Sequence, residues 1–492
     1  MMAKSDSFAD LQIGDQFDGL AKILRKAKPG PVVFLLSDGA STMDGVVHDS
    51  NFDVGDVVHV NGRISAHGGR RQVEIQIITG SNVDFDAIQD HRCEPQRVDF
   101  SIPSDRYDAM AADFSRVAKT IRRVVFDGQP VILRHHNDSD GICAGLAMEQ
   151  AIEALMTHMG INPDHYLYRS PSATPFYDSG DALRDISLGK RLTDTYNQKA
   201  PVVVLCDLGT TPENLFSFKI LKSFGIGCIV VDHHAPGGVE GAHPEVVPFL
   251  LDIINPHLHG LDGQTSAGML AYELARMVNE GFENPVLPAV AAISDRCDIP
   301  ETDLLIAQSG KTRDELQAIG IAIDYIAFQL KYDAGSGVYE RLYEDEALVQ
   351  VINEAVQASV NTQLQSTLPY LRSQDINGIF FSQIDLEKYT TRFRYPTPGK
   401  VLGMIHDSVV SGREHLPSMT IGYLSDMIII RANNPGVTIQ DLMDYINQNI
   451  PEANVEGGGH EEAGTIKFVP AHLSRILELI KEFLKQVHRP EE

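Results

Sequence analysis

Two short runs hold the residues best suited to metal and proton chemistry. Arg134-His135-His136-Asn137-Asp138-Ser139-Asp140-Gly141 follows the apolar Val131-Ile132-Leu133, and Asp232-His233-His234 follows Cys228-Ile229-Val230-Val231. Each apolar run has the length and branched composition of a buried strand, so both clusters are expected at strand ends. In the first, His136, Asp138 and Asp140 occupy alternate positions, which places their side chains on one side of an extended segment. Gly141 then permits a sharp turn into a helix. Two further acids complete the set: Asp207 after Val202–Cys206, and Asp295 within Ala291-Ala292-Ile293-Ser294-Asp295-Arg296-Cys297-Asp298. It too is expected at a strand end.

Imidazoles and carboxylates gathered in this way suit divalent metals. Phosphodiester hydrolysis needs a nucleophile at neutral pH and neutralisation of charge on the phosphoryl oxygens; two cations about 4 Å apart supply both. Mixed nitrogen and oxygen ligation suits Mn²⁺, Co²⁺ or Zn²⁺ better than Mg²⁺. Taken singly, each motif has a plainer explanation. An Asp after a strand is often a helix N-cap, and a His pair is often a satisfied surface or core pair. The first motif also looks like half an EF-hand loop, but the Glu required at the twelfth position is Ala147. The four motifs together point to a metal centre.

Such a site needs a scaffold, and the chain alternates accordingly. From Ser104 the pattern runs helix, strand, helix, strand: an amphipathic stretch at 107–126, a helix from Gly141 to His158, and a crossover helix from Leu215 to Phe224. That alternation predicts a parallel sheet with helices on both faces and ligands beyond the carboxyl ends of the strands. Upstream, residues 11–82 read as short strands with Gly-rich turns, and Phe52 to Arg63 resembles the stretch found in OB-folds that bind nucleic acid. Residues 83–104 are polar, carry Pro95 and Pro103, and read as a linker. Residues 313–373 read as mainly helical. A second α/β pattern begins near 376, with apolar runs at Ile379-Phe380-Phe381, Val401-Leu402, Met427–Ile430 and Gly464–Val469, and an amphipathic helix at 471–487.

These residues resemble the DHH phosphoesterase superfamily, named for the run present here as Asp232-His233-His234. A second family signature, GGGH, is present as Gly457-Gly458-Gly459-His460. An OB-like domain ahead of the DHH core is most similar to the archaeal RecJ-like nucleases. The resemblance implies an α/β fold with four parts: an OB-like nucleic-acid-binding barrel (1–95), a parallel-sheet DHH catalytic domain (100–330), a helical connector (331–373) and a smaller DHH-associated substrate-binding domain (374–492). It implies two divalent ions, Mn²⁺ first, with Mg²⁺ or Co²⁺ as alternatives. By position, His136 and Asp138 would hold one ion, Asp140, His233 and Asp295 the other, and Asp207 both, with His234 just outside, acting on the phosphate. Gly457, Gly458 and Gly459 would admit a substrate phosphate close to the backbone, and His460 would contact it. Asn255 and His257 are further substrate candidates, with capping and loop structure as the alternative. Bacterial RecJ proteins carry an acid where His136 stands, so this chain follows the His-bearing variant.

The implied activity is exonucleolytic hydrolysis of single-stranded DNA or RNA to nucleoside monophosphates. The alternatives are a phosphodiesterase on short oligonucleotides, cyclic dinucleotides or phosphoadenosine phosphate, and a replisome protein that binds GINS. Arg63, Arg70 and Arg71 of the barrel are the candidate strand contacts. Arg116, Lys119, Arg122, Arg123 and Arg134 form a second basic group, for which a solvated helix face is the plainer reading.

Composition narrows the class. The chain has 492 residues and a net charge of -26, which counts against a simple nucleic-acid-coating protein. No apolar run approaches the ~20 residues of a membrane span, and the N-terminal residues lack a signal-peptide core; a cytoplasmic protein without a membrane partner is expected. The five cysteines show no CxxC spacing, so neither a zinc ribbon nor a disulfide framework is supported.

Overall fold

The computed structural model describes residues 7–28, 30–172, 174, 176–236, 245–391, 393–413, 416–433, 436, 438–460 and 463–486. The chain divides into two compact units, Met1–Glu346 and Ala347–Glu492. That division falls inside the segment expected as a connector.

The first unit opens with five strands, β1 (Gln16–Ala27), β2 (Val32–Ser37), β3 (Thr42–Val47), β4 (Val57–His67) and β5 (Arg70–Gly80). They close into an OB-like barrel in the order β1-β2-β3-β5-β4. Alternation turns Val58, Val60 and Ile64 of β4 and Val73 of β5 inward, onto Phe17, Ile23, Phe34 and Leu36. Gly62 marks a register shift between β4 and β5, where a Cβ would come within 2.6 Å of the Glu74 carbonyl oxygen.

The stretch 83–104 is not merely a linker, because it contains helix α1 (Phe85–Cys93). Asp84 caps it by accepting the Ala87 N–H, and Phe85, Gln89 and Cys93, spaced four apart, are buried. The polar composition belongs to the opposite face.

Helix α2 (Asp105–Phe126) leads into five strands, β6 (Val131–His135), β7 (Leu167–Pro171), β8 (Val202–Cys206), β9 (Gly227–Val231) and β10 (Asp252–Ile254). All pair in parallel, in the order β10-β9-β8-β6-β7. Helices α3 (Ser139–His158), α4 (Ser179–Tyr196) and α5 (Leu215–Ser223) connect them. Helices α6 (Ala267–Val278), α7 (Val286–Ser294), α8 (Pro300–Ser309), α9 (Arg313–Leu330) and α10 (Tyr339–Glu344) follow. The central strands β6 and β8 are buried throughout, as expected where helices cover both faces.

The basic group on α2 is partnered throughout, although Arg116 remains exposed. Lys119 pairs with Asp90 of α1 and with Glu94, which caps that helix, at 2.8 and 2.6 Å, and Arg123 with Asp86 and Asp127 at 2.9 and 3.0 Å. Lys22 of β1 reaches the same Asp86 and Asp127, and Arg116 pairs with Asp252 and Asp113. Arg122 is buried and donates to the carbonyls of Cys93 and Val278. The barrel is fastened to the sheet domain at a further point, where the Thr42 N–H and hydroxyl both donate to the Met159 carbonyl.

The second unit contains α11 (Glu346–Thr367) and six strands, β11 (Arg372–Ile376), β12 (Ile379–Asp385), β13 (Ser418–Tyr423), β14 (Met427–Asn433), β15 (Glu456–His460) and β16 (Ala463–Lys467), in the order β11-β12-β13-β14-β16-β15. Its other helices are α12 (Leu386–Tyr389), α13 (Pro398–Val410), α14 (Ile439–Asn449) and α15 (Leu473–Gln486). Val401 and Leu402, an apolar run of strand type, lie instead in α13, where they pack with Ile405.

Arg134 of β6 is the charge that the parallel sheet buries most deliberately. Its Nε donates to both oxygens of Asp185 at 3.1 and 2.9 Å, and Nη1 lies 3.1 Å from Asp181. Removing one partner of a buried pair leaves the other charged and unpaired, at a cost of about 3–5 kcal/mol. Arg134→Ala should therefore lower the urea midpoint of the first unit, followed by circular dichroism. An unchanged midpoint would show that the pair contributes nothing net.

Candidate metal centre

The carboxyl ends of β6, β8 and β9 bring the predicted residues together. His135 ends β6, and His136, Asp138 and Asp140 follow as the chain turns into α3. Asp138 is the α3 N-cap and accepts the Gly141 N–H at 3.0 Å, so the capping explanation holds for this side chain. Gly141 is obligatory here, because a Cβ would press on the His136 carbonyl. Asp207 follows β8 with φ of 63°, a left-handed conformation that Asp tolerates better than most residues. Asp295 is the exception to the expected pattern: it caps the C-terminus of helix α7, not a strand. The apolar Leu287–Ile293 segment is strand-like in composition but helical in the fold.

Three groups of side chains lie close enough to hold a cation: His136, Asp138 and Asp207; Asp140, His233 and Asp295; and Asp207, His233 and His234. Asp207 belongs to two of them. His136 Nδ1 is 2.8 Å from Asp138 and 3.4 Å from Asp207. His233 Nε2 is 3.3 Å from Asp207 and 3.9 Å from Asp140. The buried Asp207 Oδ1 has no hydrogen-bond partner. A buried, unsatisfied carboxylate oxygen facing imidazoles is what a cation would satisfy, so the residues present fit divalent ions.

Several groups that position these side chains were not evident from the motifs. Asp140 accepts the N–H groups of Ala267 and Gly268 at 2.9 and 2.8 Å, at the start of α6, where the helix dipole favours a negative charge. His233 Nδ1 sits 2.7 Å from the Gly263 carbonyl, a contact that as a donated N–H leaves Nε2 facing the carboxylates. Asp232, fully buried, is held by the Thr210 N–H and hydroxyl and in turn engages His234 Nδ1 at 2.7 Å. The residues between the ligand candidates are anchors: Asn137 donates to the Lys331 carbonyl, and Ser139 contacts Asp324 and the Gly320 carbonyl.

The remaining candidates are placed less centrally. Asn255 is fully buried; it donates to the His234 carbonyl and accepts the His257 N–H, so in this fold it caps a turn and holds the His234 backbone. His257 lies half-buried beside His233, and burial together with the His233 charge pushes its imidazole down. Gly457 to His460 form part of strand β15 rather than a turn. Gly457 is needed because a Cβ would collide with the Thr465 carbonyl of the neighbouring strand. The side chains at 458–460, His460 included, lie outside the described residues. In the barrel, Arg63 and Arg70 are exposed and make no ion pair among the described residues, whereas Arg71 is tied to the Leu11 carbonyl.

No family model matches the chain. A protein of Methanocaldococcus jannaschii described as uncharacterized is 31% identical over 94% of this chain and 68% of its own length. A solved DHH domain, described as a member of the S1p family of ribosomal proteins, is 32% identical, with a TM-score of 0.79 over 82% of this chain and 98% of that one. RecJ of Thermus thermophilus, solved in complex with Mn²⁺, shares the fold at 15% identity and a TM-score of 0.51, over 80% of this chain and 57% of that one. Sheet, barrel and His/Asp clusters together define an α/β protein with a candidate metal centre. The chain belongs to the DHH phosphoesterase superfamily, and its fold is RecJ-like. No helix among the described residues is long and apolar enough to cross a membrane.

Protonation follows from this crowding. Burial, reinforced by the charges of Asp207 and Asp295, pushes Asp140 well above the usual carboxylate range, and burial raises Asp295 to about 6. Burial alone would lower His136 and His233, but the surrounding carboxylates outweigh it and raise both. Every one of these groups binds protons more tightly folded than unfolded. Their contribution to stability is therefore present at low pH and is lost as pH rises, from the ordinary Asp value near 4 upward. Bound cations require ionised carboxylates and neutral imidazoles. The rise in melting temperature on adding Mn²⁺ should thus be small at pH 5 and larger at pH 8. Equal shifts at the two pH values would mean that Mn²⁺ binds elsewhere.

Proposed function

We propose that this chain is a metal-dependent phosphodiesterase that degrades single-stranded DNA or RNA from an end, releasing nucleoside monophosphates. The observation that carries the reading is the pair of His/Asp clusters sharing Asp207, whose buried oxygen lacks a partner. In this reading His136 and Asp138 hold one divalent cation, Asp140, His233 and Asp295 a second, and Asp207 both, with Mn²⁺ the best match to the donor set. Such a pair of cations lowers the pKa of a shared water and neutralises the phosphoryl oxygens. The protein's own part is orientation. Asp232 fixes the His234 ring through Nδ1, so its contact with a phosphate oxygen is through Nε2. The Gly457–Gly459 backbone and His460 are assigned to the substrate phosphate by their match to the family signature.

A second reading, cleavage of short oligonucleotides, draws support from the barrel. Single-strand binding by OB-folds uses exposed aromatic rings. Here Phe8, Phe17 and Phe34 are in the barrel core and Phe52 is half-buried, and Lys22, Lys26 and Lys28 are ion-paired. The intact set of candidate ligands gives no support to a purely structural role in a GINS-bound replisome.

The two readings separate by substrate length. Strands of DNA and RNA from 2 to about 40 nucleotides, longer than the ~4–16 that one OB-fold covers, would be labelled at each end in turn and incubated with Mn²⁺. Processive loss of long strands supports the first reading, and cleavage confined to the shortest supports the second. Asp207→Asn should abolish turnover and reduce bound Mn²⁺ in equilibrium dialysis. Retention of both by the variant would overturn the site assignment.

A further inference from the structure

Arg169 of the edge strand β7 is buried, and its guanidinium joins two groups behind the metal centre. Nε donates to Glu149 of α3 at 2.7 Å, and Nη1 lies 3.3 Å from His135 Nε2. A guanidinium has N–H groups only and accepts nothing. His135 Nε2 is therefore the acceptor of that contact and carries no proton, so the ring proton sits on Nδ1. That nitrogen is 2.7 Å from the His136 carbonyl, to which it donates. Both ring nitrogens are thus engaged, which leaves neither free to bind a metal. The ring is also held by packing: a Cβ at Gly145 would come within 2.5 Å of His135 Cδ2, so α3 lies directly against it.

The plain reading of such a histidine is core packing, and His135 is 1% exposed. Packing alone needs no polar partner at either nitrogen. What the two bonds do is fix the residue that follows. Strand β6 ends at His135, so His136 lies beyond the ladder that holds the strand. Its N–H donates to the Cys206 carbonyl, at the end of β8, at 3.2 Å, and its carbonyl receives the His135 Nδ1–H. Peptide groups are planar, so tying the one on each side of residue 136 sets its two backbone dihedrals and the direction of its side chain. That side chain is the imidazole whose Nδ1 is 2.8 Å from Asp138 and 3.4 Å from Asp207.

We infer that His135 is a positioning residue for the first cation: oriented by Arg169, it holds the His136 backbone so that the His136 imidazole faces Asp138 and Asp207. The inference rests on the metal-dependent reading above, in which His136 and Asp138 hold a divalent cation. A group that stands behind a metal ligand acts through affinity, because it orders the ligand before the cation arrives.

The test compares two variants of the full-length protein that lose the Arg169 contact alike and differ in the donated proton. His135→Leu has no donor. His135→Asn carries an amide nitrogen on Cγ, the place of Nδ1, and can still donate to the His136 carbonyl. Thermal melts without metal, followed by circular dichroism, establish that each variant folds. Mn²⁺ is then titrated in, with the free ion followed by its electron paramagnetic resonance signal. One equivalent of Mn²⁺ should bind His135→Leu about 10-fold or more weaker than the wild type, and His135→Asn should stay within about 3-fold of it. Where His135→Leu does not fold, His135→Phe keeps a ring against Gly145 without a donor and completes the same comparison. Equal Mn²⁺ affinities for the donor-less and Asn variants, whether near the wild type or equally weakened, would overturn the inference and leave the metal-dependent reading intact. A wild type that binds no Mn²⁺ would overturn that reading and the inference with it.

Discussion

The constraint on which the first unit depends is the confinement of carboxylates at the ends of three buried strands. Asp207 and Asp140 are almost entirely inaccessible, and Asp232 wholly so. A buried carboxylate without compensation is costly, so each must be paired, hydrogen-bonded or bound to a cation. The fold solves this differently for each. Asp232 is saturated with donors from Thr210, His233 and His234, and these outweigh burial and hold it below the usual range. Asp140 takes two amides from the start of α6. Asp207 alone keeps an oxygen without a hydrogen bond, and it is the residue shared between the clusters. The difference separates Asp232, fully engaged within the protein, from Asp207, which keeps an oxygen outside any hydrogen bond.

A second consequence is that the site is held from behind as well as from the sides. The run is not extended as its alternation suggests, because Ser139 and Asp140 already lie in α3. Its residues still serve different purposes, with His136, Asp138 and Asp140 in the groups able to hold a cation and Asn137 and Ser139 bound to α9 and its end. His135, just before them, is packed against Gly145 and held neutral by burial and the nearby Arg169, its imidazole pushed down to about 3. The adjacent histidines are therefore chemically unlike. One is a core residue that titrates far below neutrality, and the other is raised by the carboxylates it faces.

The parts of this arrangement that sequence reveals are those with short-range signatures. Apolar runs located β6, β8 and β9, and the alternation of His136, Asp138 and Asp140 is visible in a single short run. What escaped depends on distant partners. Asn137 and Ser139 are ordinary polar residues until they meet groups 194 and 185 positions away. Edge strands β7 and β10 escaped for another reason: one is a polar five-residue segment and the other has three residues, so neither forms an apolar run. Helix α1 was hidden by its polar outer face, and the basic face of α2 by carboxylates on α1 that neutralise it. Asp295 was placed correctly in composition but on the wrong kind of element, because Ala, Val, Leu and Ile serve a buried helix as well as a buried strand.

The barrel's attachment bears on what it can contribute. Helix α3 begins at the centre with Asp138 and ends at Met159, roughly 30 Å away at 1.5 Å per residue. The barrel meets that far end: Thr42 donates to the Met159 carbonyl, Lys22 reaches Asp127 just before β6, and Asn197 at the end of α4 donates to the Lys26 carbonyl. These contacts lie at the amino ends of the strands, opposite the carboxyl ends that hold the His/Asp clusters. The barrel therefore packs at the base of the parallel sheet, where Lys22 pairs with Asp86 and Asp127. The His/Asp clusters gather at the opposite end, beyond β6, β8 and β9.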